Sequence, residues 1–134
     1  MLPQRDAFVA GIRLFIRRRH PKPVALDEPA IAEALVHATR LAAGHEANEP
    51  AALFFACARS SRAFGAASHD LLPIVARNHA RALGLRLDVD DVVLAILHAR
   101  VALGAITYEE VRGTFAAALR PAEDAERPLP KRPG

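Results

Sequence analysis

The sequence predicts an all-α fold, a single compact domain of about six helices over residues 1–120, followed by a disordered Pro-rich tail over 121–134. Apolar residues recur at the helical period in every long segment. Aspartate, proline and glycine stand where helices would begin and end, and no segment has convincing strand alternation. The length of 134 residues and the 51% hydrophobic content suit one core. The predicted helices cover residues 6–19, 28–43, 49–61, 70–83, 89–103 and 108–119.

The first predicted helix is amphipathic. Phe8, Ile12, Phe15 and Ile16 fall on one face at helical spacing, so we expect them to point into the core. Arginines occupy the other side. The segment HPKP that follows ends the helix, because proline cannot continue the hydrogen-bond ladder.

The second and third predicted helices begin in the same way. Asp27 and Asn48 stand where a side chain can cap free amides, and each is followed two residues later by proline, which the first turn tolerates. Gly44 suits the end of the second helix. The third contains the apolar run ALFFACA, in which Cys57 is expected to be buried. The apolar stripe of the second helix consists of Ile31, Leu35, Ala38 and Ala42.

The fourth and fifth predicted helices are bounded by acidic residues and glycines. Asp70 is expected to cap the fourth, which places Pro73 at its third position, and Asp88 or Asp90 to cap the fifth. The short segment LGLRLDV between them is interpreted as a linker. The residues expected to face inward are Leu71, Leu72, Val75 and Leu83 in the fourth helix, and Val92, Val93, Ile96, Leu97 and Val101 in the fifth.

The sixth predicted helix has the clearest start. Thr107 and Glu110 have the spacing of a capping box, and Ile106 can pack on Val111 as a hydrophobic staple. The helix ends before Pro121, where the composition becomes rich in proline and charge, which is typical of disorder.

Charge and hydropathy indicate whether the chain could contact nucleic acid or a membrane. The net charge is +3, with a basic cluster at Arg17-Arg18-Arg19 that could contact nucleic acid or an anionic surface, or could be a solvated helix face. The segment RALGLRLDVDDVVLAIL resembles a helix-turn-helix, but three aspartates would face the DNA phosphates, so DNA reading is not predicted. No apolar stretch is long enough to span a membrane. The arginine-interleaved N-terminus indicates no signal peptide, hence a cytoplasmic location.

No metal or cofactor site is predicted. The segment HEANE has His45 and Glu46 in the order of a zinc-protease motif, but Glu49 stands where the second histidine is needed. The six histidines of the chain show no ligand spacing.

One stretch, RSSRAFGAASHDLLP, breaks the helical pattern with small residues, an aromatic, a histidine and an aspartate. Together with AALFFACARS before it, the segment LLPIVARNHARALGLRL, the acidic helix that follows and TYEEV, it resembles the Fic/Doc family. The resemblance covers about half the chain. It implies an all-helical fold and kinship with AMP-transferring Fic enzymes and with the Doc toxin kinases of bacterial toxin–antitoxin pairs.

The resemblance also implies that the signature loop is eroded. Arg62 falls at the family's catalytic histidine and cannot act as a base. Ala66 replaces the metal-binding carboxylate and Asp70 replaces the phosphate-pairing arginine. Ser68 stands at the asparagine, and His69 where lysine is common. Phe64, the packing aromatic, is retained.

Three functions follow as hypotheses. The first is a degenerate Fic/Doc-like pseudoenzyme, without cofactor, that binds an unknown protein partner such as an antitoxin-like peptide or a second copy. The second is an enzyme that reuses the loop through Arg62, Ser68 and His69. The third is nucleic-acid or membrane contact through the basic first helix.

Overall fold

The computed structural model describes residues 2–19, 25–60 and 62–122, and the predicted tail from residue 123 onward and the HPKP stop lie outside them. Within these ranges the chain forms six helices and two three-residue strands, so the all-α prediction is confirmed. The helices are α1 (Arg5–Arg19), α2 (Glu28–Ala42), α3 (Glu49–Arg59), α4 (Ser68–Ala82), α5 (Asp91–Ala102) and α6 (Tyr108–Ala118). The strands are β1 (Leu85–Leu87) and β2 (Leu119–Pro121).

Two of the predicted caps hold their helices as expected. The Asp27 carboxylate accepts a hydrogen bond from the Ala30 amide at 3.0 Å at the start of α2. Thr107 and Glu110 form the full capping box of α6, with both reciprocal bonds at 3.2 Å. These bonds satisfy backbone donors that no helical carbonyl can reach. Asn48 makes no such bond, because a 3₁₀ turn over Glu46–Asn48 leads into α3 instead.

Helix α3 is the centre of the core. All of its residues except Arg59 are buried, and it packs against α2, α4, α5 and α6. The rings of Phe54 and Phe115 lie 5.3 Å apart between α3 and α6. Cys57 is buried as predicted, and burial raises the pKa of its thiol to about 12.

Helix α1 covers this core from one side. Ile12 and Ile16 are buried as predicted, and Phe8 and Phe15 are partly buried against the same cluster. The predicted stripe of α2 is buried in full. Amphipathic period therefore identified the inward face of both helices.

The prediction for α5 was wrong in part. Leu97 and Val101 are buried, but Val92, Val93 and Ile96 are 69%, 39% and 49% exposed. Leu94 takes the inward position instead, fully buried. Apolar residues surround this helix on nearly all sides, so its period could not indicate which side faces the core.

The segment LGLRLDV, which was predicted to be a linker, contains the strand β1. β1 pairs antiparallel with β2, with Leu85 opposite Pro121 and Leu87 opposite Leu119. The Ala122 amide donates to the Gly84 carbonyl at 2.9 Å. Pro121 and Ala122, which were predicted to belong to the tail, thus pair with residues of the domain.

Candidate functional site

The unusual stretch forms the connection between α3 and α4. A 3₁₀ turn over Gly65–Ala67 leads directly into α4, and Gly65 has φ of +54°, a conformation that side chains with a Cβ disfavour. Ala63 and Phe64 are fully buried, and the Phe64 ring lies 6.2 Å from that of Phe8. The loop is therefore fastened to the core by apolar contacts.

Arg62 forms an ion pair with Asp27 at the surface, where the Arg62 side chain is 74% exposed. Its Nε and Nη2 both donate to one carboxylate oxygen of Asp27, at 3.1 and 2.9 Å. The Asp27 amide donates in turn to the Ala63 carbonyl at 3.3 Å. The Ala30 amide and then Arg62 lower the pKa of Asp27, and the bond to Asp27 raises the pKa of Arg62. Arg62 thus straps the loop to the start of α2.

Asp70 does not cap α4. The helix begins at Ser68, two residues earlier than predicted, and no side chain caps it. The 3₁₀ turn supplies the preceding turn of backbone, so Asp70 lies within the first helical turn and Pro73 lies inside the helix rather than at its third position. Asp70 still keeps a carboxylate beside the positive end of the helix, where an anion would have to approach.

Ser68 and His69 lie together beside a cavity of about 300 Å³. The Ser68 hydroxyl donates to the Gly65 carbonyl at 3.0 Å. The ring of His69 stacks on that of His98 from α5, with centroids 6.5 Å apart. Burial, and to a lesser degree the charge of His69, lowers the pKa of His98. Of the predicted candidates, only Ser68 and His69 line this cavity.

The described residues contain no group of three potential metal ligands. His45 is exposed, whereas Glu49 is buried and turns away toward α4, where its Oε1 lies 2.8 Å from Nε2 of His79. The HEANE segment is thus split between surface and core.

The Glu49–His79 pair is a feature that sequence reasoning missed. Both side chains are more than nine-tenths buried, and His79 borders a largely apolar groove of about 330 Å³ between α1 and α4. Phe8, Phe15 and Val75 also line the groove. The sequence feature that could have identified His79 as buried is its position, because it continues the buried stripe of Leu72, Val75 and Ala76 along α4.

The basic end of α1 faces solvent. Arg17 and Arg18 are exposed, and the side chain of Arg19 is outside the described residues. Across residues 2–19, 25–60 and 62–122, every helix is too short or too polar to cross a bilayer.

Among the residues that the structure describes, six helices form the domain, and the α3–α4 connection contacts α1 through Phe64 and α2 through Arg62. No family model, no curated protein and no solved structure matches the chain.

Proposed function

We propose that the chain is a degenerate Fic/Doc-like protein, a cytoplasmic binding or scaffold protein of bacterial toxin–antitoxin ancestry that does not transfer AMP or phosphate. The observation that carries this proposal is the double hydrogen bond from Arg62 to Asp27. The residue at the family's catalytic position serves as a strap between the loop and α2.

The chemistry of the neighbouring positions supports the same conclusion. A guanidinium cannot accept the proton of an attacking hydroxyl, and here both of its bonded nitrogens already donate to a carboxylate. Ala66 offers no ligand to the magnesium ion that accompanies a nucleotide. Asp70 lies in the first turn of α4, where the resemblance implies a phosphate, and its charge opposes an anion. Base, metal ligand and phosphate clamp are therefore absent together.

A pseudoenzyme of this kind acts by binding, and the partner that we propose is a protein. An antitoxin-like peptide and a second copy of the chain are the two partners that the resemblance and the fold suggest. The loop is fastened to the core by the fully buried Ala63 and Phe64, and a loop held in this way loses little conformational freedom when it binds a partner.

The alternative is an enzyme that reuses the loop. One observation favours it: Ser68, His69 and His98 border the same cavity of about 300 Å³. Arg62 does not border that cavity, so such an enzyme would depend on the serine and the two histidines rather than on the trio expected from the sequence.

Calorimetric titration with Mg-ATP separates the two. We expect no heat of binding beyond dilution, and no AMP or phosphate added to the protein by mass spectrometry. Binding of Mg-ATP tighter than roughly 0.1 mM that is lost in Arg62→Ala or His69→Ala would support the alternative, an enzyme that reuses the loop. Arg40→Ala, an exposed arginine on α2, is the matched control.

A gain-of-function variant tests the charge argument directly. Asp70→Arg restores the family's charge at the start of α4, so its affinity for inorganic phosphate should rise above that of the natural chain. An unchanged titration would show that Asp70 is not what opposes anions there.

A further inference from the structure

Helix α5 presents an apolar face to solvent. Only Asp91, His98 and Arg100 of its residues are polar, and the helix buries just Leu94, Leu97 and Val101. A helix that is apolar all round normally lies inside a core. Of the six large hydrophobic residues that are exposed in the described chain, four lie on this side of α5 or just after it. They are Val92, Val93 and Ile96, with Leu103 just beyond the helix at 81% exposure.

The exposed residues have the spacing of a helix–helix seam. Val92, Ile96, Ala99 and Leu103 follow one another at intervals of four, three and four residues, which is the alternation of a and d positions in a heptad. All four are exposed. A seam of this kind has the side-chain spacing that fits the groove of another helix. The occupant of this face is therefore expected to be helical.

The seam is complementary to itself when a second copy runs antiparallel. About a two-fold axis at the middle of the seam, the large Ile96 meets the small Ala99 of the other copy, and Val92 meets Leu103. Large against small lets the helices interdigitate. The same residues on both copies then form one closed interface, which is the isologous pattern of most homodimers.

The charges favour the same orientation. The acidic start of α5 holds Asp88, Asp90 and Asp91, whereas Arg100 lies near its end. Antiparallel pairing sets the acidic end of each helix beside the Arg100 end of the other, and it also opposes the two helix dipoles. Asp91 pairs with Arg77 and Asp88 lies 3.9 Å from Arg86 within the same copy. The charges that bear on the orientation are therefore Asp90 and Arg100, which form no ion pair within residues 2–19, 25–60 and 62–122. Parallel pairing would bring the two Asp90 carboxylates to the same end.

The chain's own tail is a poor occupant. Residues 123–134 carry one large apolar side chain, Leu129, between two prolines. One apolar residue supplies too few apolar contacts for a seam of four residues.

We propose that α5 pairs antiparallel with α5 of a second copy, in a weak and reversible two-fold dimer. The seam from Val92 to Leu103 is about 16 Å long at 1.5 Å per residue. An interface built on this seam alone buries less surface than the roughly 1,200 Å² of a typical stable complex. The dimer therefore belongs to the transient class, with dissociation in the micromolar range. This inference rests on the proposed binding role, for which it names a partner, but the two fail separately, since the titration with Mg-ATP probes only the loop.

Sedimentation equilibrium of the full chain from roughly 5 to 500 µM tests the proposal. We expect a concentration-dependent rise from monomer mass toward dimer mass. Ile96→Glu should weaken the dimer by about a hundredfold, because symmetry places two carboxylates in one apolar seam. Val36→Glu, the same change at a valine of α2 that is 52% exposed, should leave the dimer unchanged. A monomer throughout the range, or equal effects of the two variants, would overturn the proposal.

Disulfide trapping tests the orientation. When Val92→Cys and Leu103→Cys are mixed and oxidised, antiparallel pairing predicts the mixed disulfide in excess of either homodisulfide. The natural Cys57 is 1% exposed and does not interfere in the folded protein. A predominance of the Val92→Cys homodisulfide would indicate parallel pairing and contradict the inference, as would random cross-linking in statistical proportion.

Discussion

The buried pair of Glu49 and His79 makes a sharp prediction about stability. Its two polar atoms lie 2.8 Å apart, and both side chains are more than nine-tenths buried. Glu49→Leu leaves the histidine without this bond, which costs about 1.5–3 kcal/mol for a bond to a charged group. It also removes a carboxylate from the first turn of α3, worth a further 0.3–1 kcal/mol or so. The expected loss of unfolding free energy is thus about 2–4 kcal/mol.

Thermal unfolding followed by circular dichroism measures this loss. At roughly 4 °C per kcal/mol for a domain of this size, Glu49→Leu should lower Tm by about 8–16 °C. Glu49→Gln, which retains a hydrogen-bonding group, should lose clearly less. The double variant Glu49→Leu, His79→Phe should recover to within about 1 kcal/mol of the natural chain, because neither partner is then left unsatisfied. Additive losses in the double variant, or no loss in Glu49→Leu, would refute the reasoning.

Four further outcomes follow from the fold. Phe54→Ala should cost about 3–5 kcal/mol in chemical denaturation, because its fully buried ring leaves a cavity between α3 and α6. Thr107→Ala should cost about 1 kcal/mol through loss of the α6 cap, and Thr107→Ser almost nothing. Because folding lowers the pKa of His98, the unfolded chain takes up a proton at this residue more readily than the folded chain. The contribution of His98 to stability is therefore complete above pH 6.5 and falls as the pH drops below that value. His98→Gln should flatten this fall. Changing Arg17 and Arg18 to Gln should alter stability by no more than about 0.5 kcal/mol each, and a salt-sensitive DNA shift in the natural chain that these changes abolish would favour the nucleic-acid hypothesis.

Local signals predicted the fold well. The Asp27 cap and the Thr107–Glu110 capping box each involve residues three positions apart, so the sequence contains the whole of the interaction. The amphipathic stripes of α1 and α2 also identify their buried faces, because the polar residues on the opposite side break the symmetry of the helix.

Contacts between distant residues could not be predicted in this way. Arg62 meets Asp27 across 35 residues and His79 meets Glu49 across 30, and no local pattern encodes either pair. The β1 strand is three residues long, too short for an alternation to be recognised, and its partner follows α6. The difficulty with α5 was different. Apolar residues lie on nearly every side of this helix, so the sequence does not show which of them face the core.

The pairing of β1 with β2 has a consequence for how this domain can change. Leu85 pairs with Pro121, so the residues between them, which include α5 and α6, form one chain segment whose two ends are joined by a short ladder. The closure entropy of such a segment grows only slowly with its length. Extra residues in the exposed α5–α6 loop, at Gly104 and Ala105, should therefore cost little stability, provided that the ladder and the contacts of α5 and α6 with α3 remain.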